Sequence, residues 1–284
     1  MAKTTIEPIS DAMLPEFCQF LHENMPVKRS AQDWETCLRH QWMENPPNFG
    51  FVLRSDAGKV VGGIGAYYSD RIIQGNAEKF CNITSWCVLD AYRPQSMKLA
   101  MAVIGQAGHH FTDFSPTKVV GNTLKFFKFK ELDERQATTL NLPTLFYKHR
   151  HVLADPQQIE LALTGTALKA YRDHLGFAHL QHVVLGSNGH YCHVVYKLGR
   201  FKRFATASVL YIADRDVFAR HFRDFATFLL LRGILFTQTE VRMLPLLPWP
   251  SVVRAGFNRK VFLSATLQEN DIDYLYSEQV AIDL

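Results

Sequence analysis

The sequence predicts an α/β protein of two lobes, each built on a mixed sheet, and three observations carry that expectation. Strand-like and helix-like runs succeed one another as β-α-α-β-β-β-α-β-α-β over the first half of the chain. A strand–helix–strand unit recurs at a nearly constant offset in the second half. The chain has 284 residues, 47% hydrophobic and 20% charged, enough for a large core without disulfides or a metal.

Residues 4–9 read as a short strand. Residues 11–24 place Met13, Leu14, Phe17, Phe20 and Leu21 at helical spacing. Ser30 and Asp33 form a capping box for a second helix, with Trp34, Cys37, Leu38 and Trp42 along one side. The Asn-Pro-Pro-Asn run at 45–48 ends it. Residues 49–54 and 59–68 are strands joined by turn residues, and 80–89 is a third, strongly β-like run. A helix over 99–106, a strand over 111–115, a helix over 116–127 and a strand over 129–132 complete the lobe.

Laid over the first half, the second repeats it. The run from Phe80 to Asp90 returns as Phe204 to Asp214, 124 positions on, and each aspartate reads as a cap for the helix that follows. Phe111-Thr112 returns as Phe236-Thr237, at an offset of 125. Strands over 180–186 and 190–198 sit where the hairpin should be, and Phe218, Phe222, Phe225 and Leu229 form a core-facing stripe. The expected division is one lobe over 1–147, a linker over 148–155 and a second lobe over 156–284.

Lys and Arg total 31 against 27 Asp and Glu, a net charge of +4. That excess is too small to demand nucleic acid, though it suits an anionic ligand. The basic, aromatic stretch over 197–203 reads as a hairpin tip. Five cysteines in a scattered, odd set point to reduced thiols in the cytoplasm. Cys81 and Cys87, on one strand, lie about 20 Å apart and cannot bond each other. Residues 1–7 hold no apolar leader core. The most apolar stretch, 222–236, is short and carries Arg223, Asp224 and Arg232, so no membrane span is expected. His149 and His151, and His190 and His193, lack a partner pair at structural-zinc spacing, so no metal is expected. Gly62, Gly63 and Gly65 lie within a strand and open no helix, which argues against a dinucleotide loop and for a bulge or a close approach.

The segment 88–98 carries the chemistry. It joins a strand to a helix, where backbone N–H groups and the positive helix end hold phosphate. Arg93 and Lys98 add charge and Ser96 a hydroxyl. On these residues the chain resembles the GNAT superfamily of acyl-CoA-dependent N-acyltransferases. Val88, Arg93, Ser96 and Lys98 fall on the positions of that family's acyl-CoA loop, with both family glycines replaced and Pro94 supplying no N–H. Residues 126–133 resemble the family's next helix end and strand, with Phe129 at the aromatic position and Lys128 in place of the usual glycine. The resemblance covers residues 4 to about 133 of the sequence and makes the fold two GNAT-like lobes. The second is a degenerate copy, because residues after Asp214 run straight into helix without a small-residue turn.

The resemblance implies acetyl-CoA or another acyl-CoA as cosubstrate, held by Cys87, Val88, Arg93, Gln95, Ser96, Met97 and Lys98. It implies transfer by direct attack of a small-molecule amine, with no nucleic acid, membrane or metal involved. The family's base glutamate falls on Asn82 and its acid tyrosine on Leu124, so both familiar groups are replaced. Asp113, on the second of the two strands that splay in the family, is the replacement carboxylate, with Asp90 as rival. Asn82 and Ser85 accompany Asp113 in the reaction centre, and Tyr67, Tyr68 and Arg71 line the acceptor site, walled by the second lobe. Two other readings stand beside this one: a transferase with a larger donor (aminoacyl-tRNA or an acyl carrier), and a non-catalytic CoA- or ligand-binding protein.

Overall fold

A computed structural model gives the structure of residues 3–145 and 147–282; Met1, Ala2, Phe146, Asp283 and Leu284 lie outside the described residues. In chain order the first stretch holds β1 (Thr4–Pro8), α1 (Leu14–Asn24), α2 (Ala31–Arg39), β2 (Gly50–Ser55), β3 (Val60–Ile73), β4 (Asn76–Val88), α3 (Ser96–Ile104), β5 (His109–Asp113), α4 (Lys118–Phe126) and β6 (Lys130–Glu131). This is the predicted order. Then come β7 (Gln136–Leu140), β8 (Val152–Leu153), α5 (Pro156–Ala162), α6 (Gly165–His174), β9 (Leu180–Ser187), β10 (His190–Phe201), β11 (Phe204–Ile212), α7 (Arg215–Leu230) and β12 (Phe236–Glu240). The chain closes with β13 (Ser251–Arg254), β14 (Val261–Leu263) and α8 (Glu278–Ala281).

Two compact units result, and they do not simply follow one another. The first holds the residues up to Leu132, then Asn258–Leu267 and the segment from Tyr276 on; the second holds Asp133–Phe257 and Gln268–Leu275. The expected linker over 148–155 is therefore corrected. Val152 and Leu153 pair with Leu185 and Val184 of β9, because this apolar pair completes a sheet edge. Two mixed seven-stranded sheets run β1-β2-β3-β4-β5-β14-β6 and β13-β7-β12-β11-β10-β9-β8. β4 pairs with β5 in parallel, and β11 with β12 in parallel, so the repeat seen in the sequence is a repeat of topology.

In the first unit, Ser30 and Asp33 cap each other's backbone as predicted. α2 stops at Arg39, earlier than expected, and Trp42 leaves the helix to donate its N–H to the Tyr68 carbonyl at 3.2 Å. The β3–β4 hairpin turns through Gln74 and Gly75, both at positive φ, as a tight turn matching strand twist requires. At Gly63 a Cβ would lie 2.4 Å from the Phe17 ring, so this glycine lets α1 seat on the sheet. The core gathers Ile64, Tyr68, Ile83, Leu99, Phe111, Leu124, Phe129 and Val261.

Within the second unit, Asp214 caps α7, its carboxylate accepting from the N–H groups of Asp216 and Val217 at 3.0 and 2.9 Å. Phe218, Phe222 and Phe225 pack together in the core as expected, Phe222 edge to face with each of the other two. The basic stretch is a hairpin end, where Lys202 and Arg203 lie over the rings of Phe201 and Phe204. No described helix is long and apolar enough to cross a membrane.

Candidate functional site

The site begins where two parallel strands part. β4 pairs with β5 from Lys79↔His109 to Asn82↔Thr112, and then continues to Val88 without it. On its other edge β4 stays paired with β3, but Thr84 faces Gly65 and Cys87 faces Gly63. Ser85 and Trp86 thus oppose Ile64 alone, a bulge with Ser85 in the left-handed region at φ 49°. A bulge re-aims a strand, and here it lies at the mouth of the fork.

Two neighbouring hollows lie at the fork. A pocket of about 100 Å³ is lined by Trp34, Thr84, Ser85, Trp86, Asp113, Ser115 and Ile282, among others. A groove of about 320 Å³ is lined by Val88, Arg93, Ser96, Met97, Val119 and Thr123. Trp86, Thr117 and Val120 border both. Every lining residue belongs to the first unit.

At the inner end sit two buried carboxyls. Asp113 accepts the Ser115 N–H at 3.1 Å. The Glu278 carboxylate accepts the Phe114 N–H at 2.8 Å and the Ser115 hydroxyl at 3.0 Å through Oε1. Its Oε2 is buried without a hydrogen-bond partner. Burial, then the charge of Glu278, pushes the Asp113 carboxyl well above the usual carboxylate range. Burial also raises Glu278, against the hydrogen bonds that hold it as an anion.

The predicted residues separate on inspection. Asp113 and Ser85 line the pocket, and Val88, Arg93, Ser96 and Met97 line the groove. Asn82 does not reach the pocket lining. Its amide donates to Thr112 Oγ1 at 3.0 Å and its carbonyl accepts the Glu278 N–H at 2.9 Å, so it ties α8 to the fork. Lys98 is exposed on α3, Gln95 is buried beneath it, and Cys87 faces Gly63; none of the three borders the groove. Tyr67 and Tyr68 are core residues, donating to the Cys37 carbonyl and Asn48, and Arg71 lies over the rings of Phe80 and Tyr276. These three are corrected as acceptor-site residues. Asp90 is corrected as a cap: it opens a 3-10 turn, exposed, and pairs with Arg93 at 2.8 Å. Glu278 was missed. It lies 196 positions from Asn82, and a lone glutamate after a serine carries no local signal of where the chain returns.

No known family's sequence profile matches the chain, and no curated protein matches it in sequence. Solved structures do. A GCN5-related N-acetyltransferase from Anabaena variabilis ATCC 29413 superposes with a TM-score of 0.60 at 12% identity, covering 92% of this chain and 72% of that one. One from Kribbella flavida gives 0.58 at 10%, over 92% and 71%. A conserved protein of unknown function from Enterococcus faecalis V583 gives 0.61 at 12%, over 95% and 74%. At such identities the likeness is one of fold.

Proposed function

Starting from a chain with the GNAT-superfamily fold, we propose an acyl-CoA-dependent acyltransferase, of the N-acetyltransferase kind, acting on a small-molecule amine. The observation that carries this is the fork: a bulged strand leaving its parallel neighbour beside a groove that ends on a buried carboxyl. Strand edges exposed by the parting offer backbone donors to an amide-bearing arm, and the apolar walls of Val88, Met97 and Val120 suit its methylenes. Arg93 and Ser96 are the groups available for phosphate. The inner pocket, near 100 Å³, suits a short acyl group better than a long one.

In this reading the cosubstrate supplies an activated thioester and the protein supplies position and a proton acceptor. The acceptor nitrogen must be neutral to attack the acyl carbon. As the C–N bond forms and the C–S bond breaks, the amine proton passes to Asp113, directly or through water, and the thiolate leaves. Burial and the neighbouring Glu278 raise the proton affinity of Asp113 toward that of a working general base. Five free cysteines suit a reducing compartment, and we place the protein in the cytoplasm.

A second reading rests on one observation. The positions where the family carries its glutamate and tyrosine hold an engaged Asn82 and a core Leu124, which fits a binding protein without turnover. Calorimetry with CoA, followed by thiol release from acetyl-CoA with a panel of amines, separates the two. Binding that Arg93→Glu weakens and Lys98→Glu leaves alone, together with amine-dependent thiol release, supports the enzyme. Binding without release selects the second reading. No CoA binding removes both.

A further inference from the structure

His151, His221 and Asp224 converge in the second unit, far in sequence from the fork, and nothing in the proposed reaction uses them. His151 closes a 3-10 turn before β8, while His221 and Asp224 lie three apart on α7, on the same helix face. One ligand atom from each lies within 4.8 Å of the other two. Both imidazoles turn Nδ1 to one oxygen, Asp224 Oδ2, at 3.0 Å from His151 and 3.5 Å from His221. The second distance is too long for a good hydrogen bond, so His221 is aimed at the carboxylate without being satisfied by it.

Those spacings suit a cation. Around an ion with bonds near 2.0–2.1 Å, the edge of a tetrahedron of ligands is about 3.3 Å, between the two distances observed. The other carboxylate oxygen, Oδ1, accepts the Lys148 N–H at 3.3 Å, an outer contact that holds Oδ2 toward the histidines. All three side chains are mostly covered but keep 13–18% of their surface exposed, so an ion can enter. We propose that His151, His221 and Asp224 bind one divalent transition-metal ion of the zinc class, contrary to the sequence expectation of no metal. Two neutral imidazoles and a carboxylate are a borderline donor set that favours zinc over calcium or magnesium. Three protein donors leave a tetrahedral ion one further position, for water or a small anion.

The sequence signal was split. His149 is the near neighbour of His151 in sequence, whereas the partners of His151 lie 70 and 73 positions on, in a helix whose spacing signals only a core face.

The test is equilibrium dialysis of the full chain, stripped with chelator, against zinc chloride. One zinc per chain is expected, and cobalt in its place should give the intense visible bands of a four-coordinate ion. His221→Gln and Asp224→Asn should each weaken binding at least about tenfold, while His149→Gln, beside the site, should leave it unchanged. The stripped variants' melting temperatures show whether they fold. Should Asp224→Asn not fold, His221→Gln on the partly exposed helix face decides. Absence of stoichiometric zinc, or zinc retained in folded His221→Gln and Asp224→Asn, overturns the proposal.

Discussion

β5 and β12 are the parallel partners of β4 and β11 in the two sheets, each strand ends on a buried acid, and the two acids are met in opposite ways. At the end of β5 the Asp113 carboxyl is buried near a second buried carboxyl, Glu278, and burial first, then that charge, raises its proton affinity. After β12 the buried Glu240 is met by Arg242, whose Nε lies 2.7 Å from its carboxylate and whose guanidinium also donates to the Glu269 and Ile272 carbonyls. One unit sets two buried acids near each other at a pocket; the other pairs its acid with an arginine in the core. The helices that lead into these two strands differ likewise. α7 begins on its own Asp214 cap, whereas no side chain caps α3. A topology can thus be repeated while the buried charge at its strand ends is handled in two different ways.

The sharpest way to break this comparison is to neutralise each acid's setting. Asp113→Asn should slow single-turnover acyl transfer by roughly 10²–10⁴-fold, a usual worth for a general base, and leave CoA affinity unchanged. Its stability should stay level or rise, because a like-charge contact goes. Arg242→Met strands Glu240 and should cost about 3–5 kcal/mol in urea unfolding. If both variants lose stability equally, the two ends are alike and the contrast fails.

Acid should also tell the units apart. Burial pulls His182 to about 4 and His193 to about 3, their rings stacked 5.4 Å apart in the second unit. In the unfolded chain histidine titrates near 6.5, so below that pH the unfolded chain takes up protons that the folded one refuses. Stability present at neutral pH is lost as pH falls, by about 4 kcal/mol at pH 5 for the two together. Asp113 and Glu278 work in the other sense. Their raised proton affinity contributes stability in acid that is lost as pH rises past the ordinary carboxylate range. Hydrogen exchange resolved by segment should show the second unit opening first on acidification.

Two smaller effects sharpen the picture. Glu278→Gln should move the acid limb of the pH–rate profile to lower pH, since removing a neighbouring charge lowers the proton affinity of Asp113. An unmoved limb would show that Glu278 only holds Asn82 and Ser115 in place. Asp214→Ala should cost the second unit about 1 kcal/mol, the worth of a helix cap, by thermal unfolding.

The local rules read well in this chain. Ser30 with Asp33, Asp214 with its helix, the hairpins and the order of the first ten elements all depend on short-range spacing, and all were legible. Asp113 and Ser85 could be placed at the site because the parallel pair β4–β5 comes from neighbouring stretches. What escaped depends on distant returns of the chain. β14 slots beside β5, with Val261 opposite Asp113, and Glu278 hydrogen-bonds at the fork; neither has a periodicity that names its partner. Lys98 lies on α3, two positions into the helix that begins at Ser96, and is not among the residues lining the groove.

The re-entry of the chain governs when the site can exist. Emerging from a ribosome, the first unit has β1 to β6 long before β14 and α8, and most of the second unit, Asp133–Phe257, is made before β14. Val261 and Glu278 supply a strand and a buried contact to the fork across separations of up to 196 positions, so loop closure must come before either reward. A nascent first lobe therefore carries an open sheet edge at β5 and an unsatisfied fork, a state prone to wrong pairing. The Asp113 pocket acquires its described walls only once the stretch that carries Glu278 and Ile282 has been made.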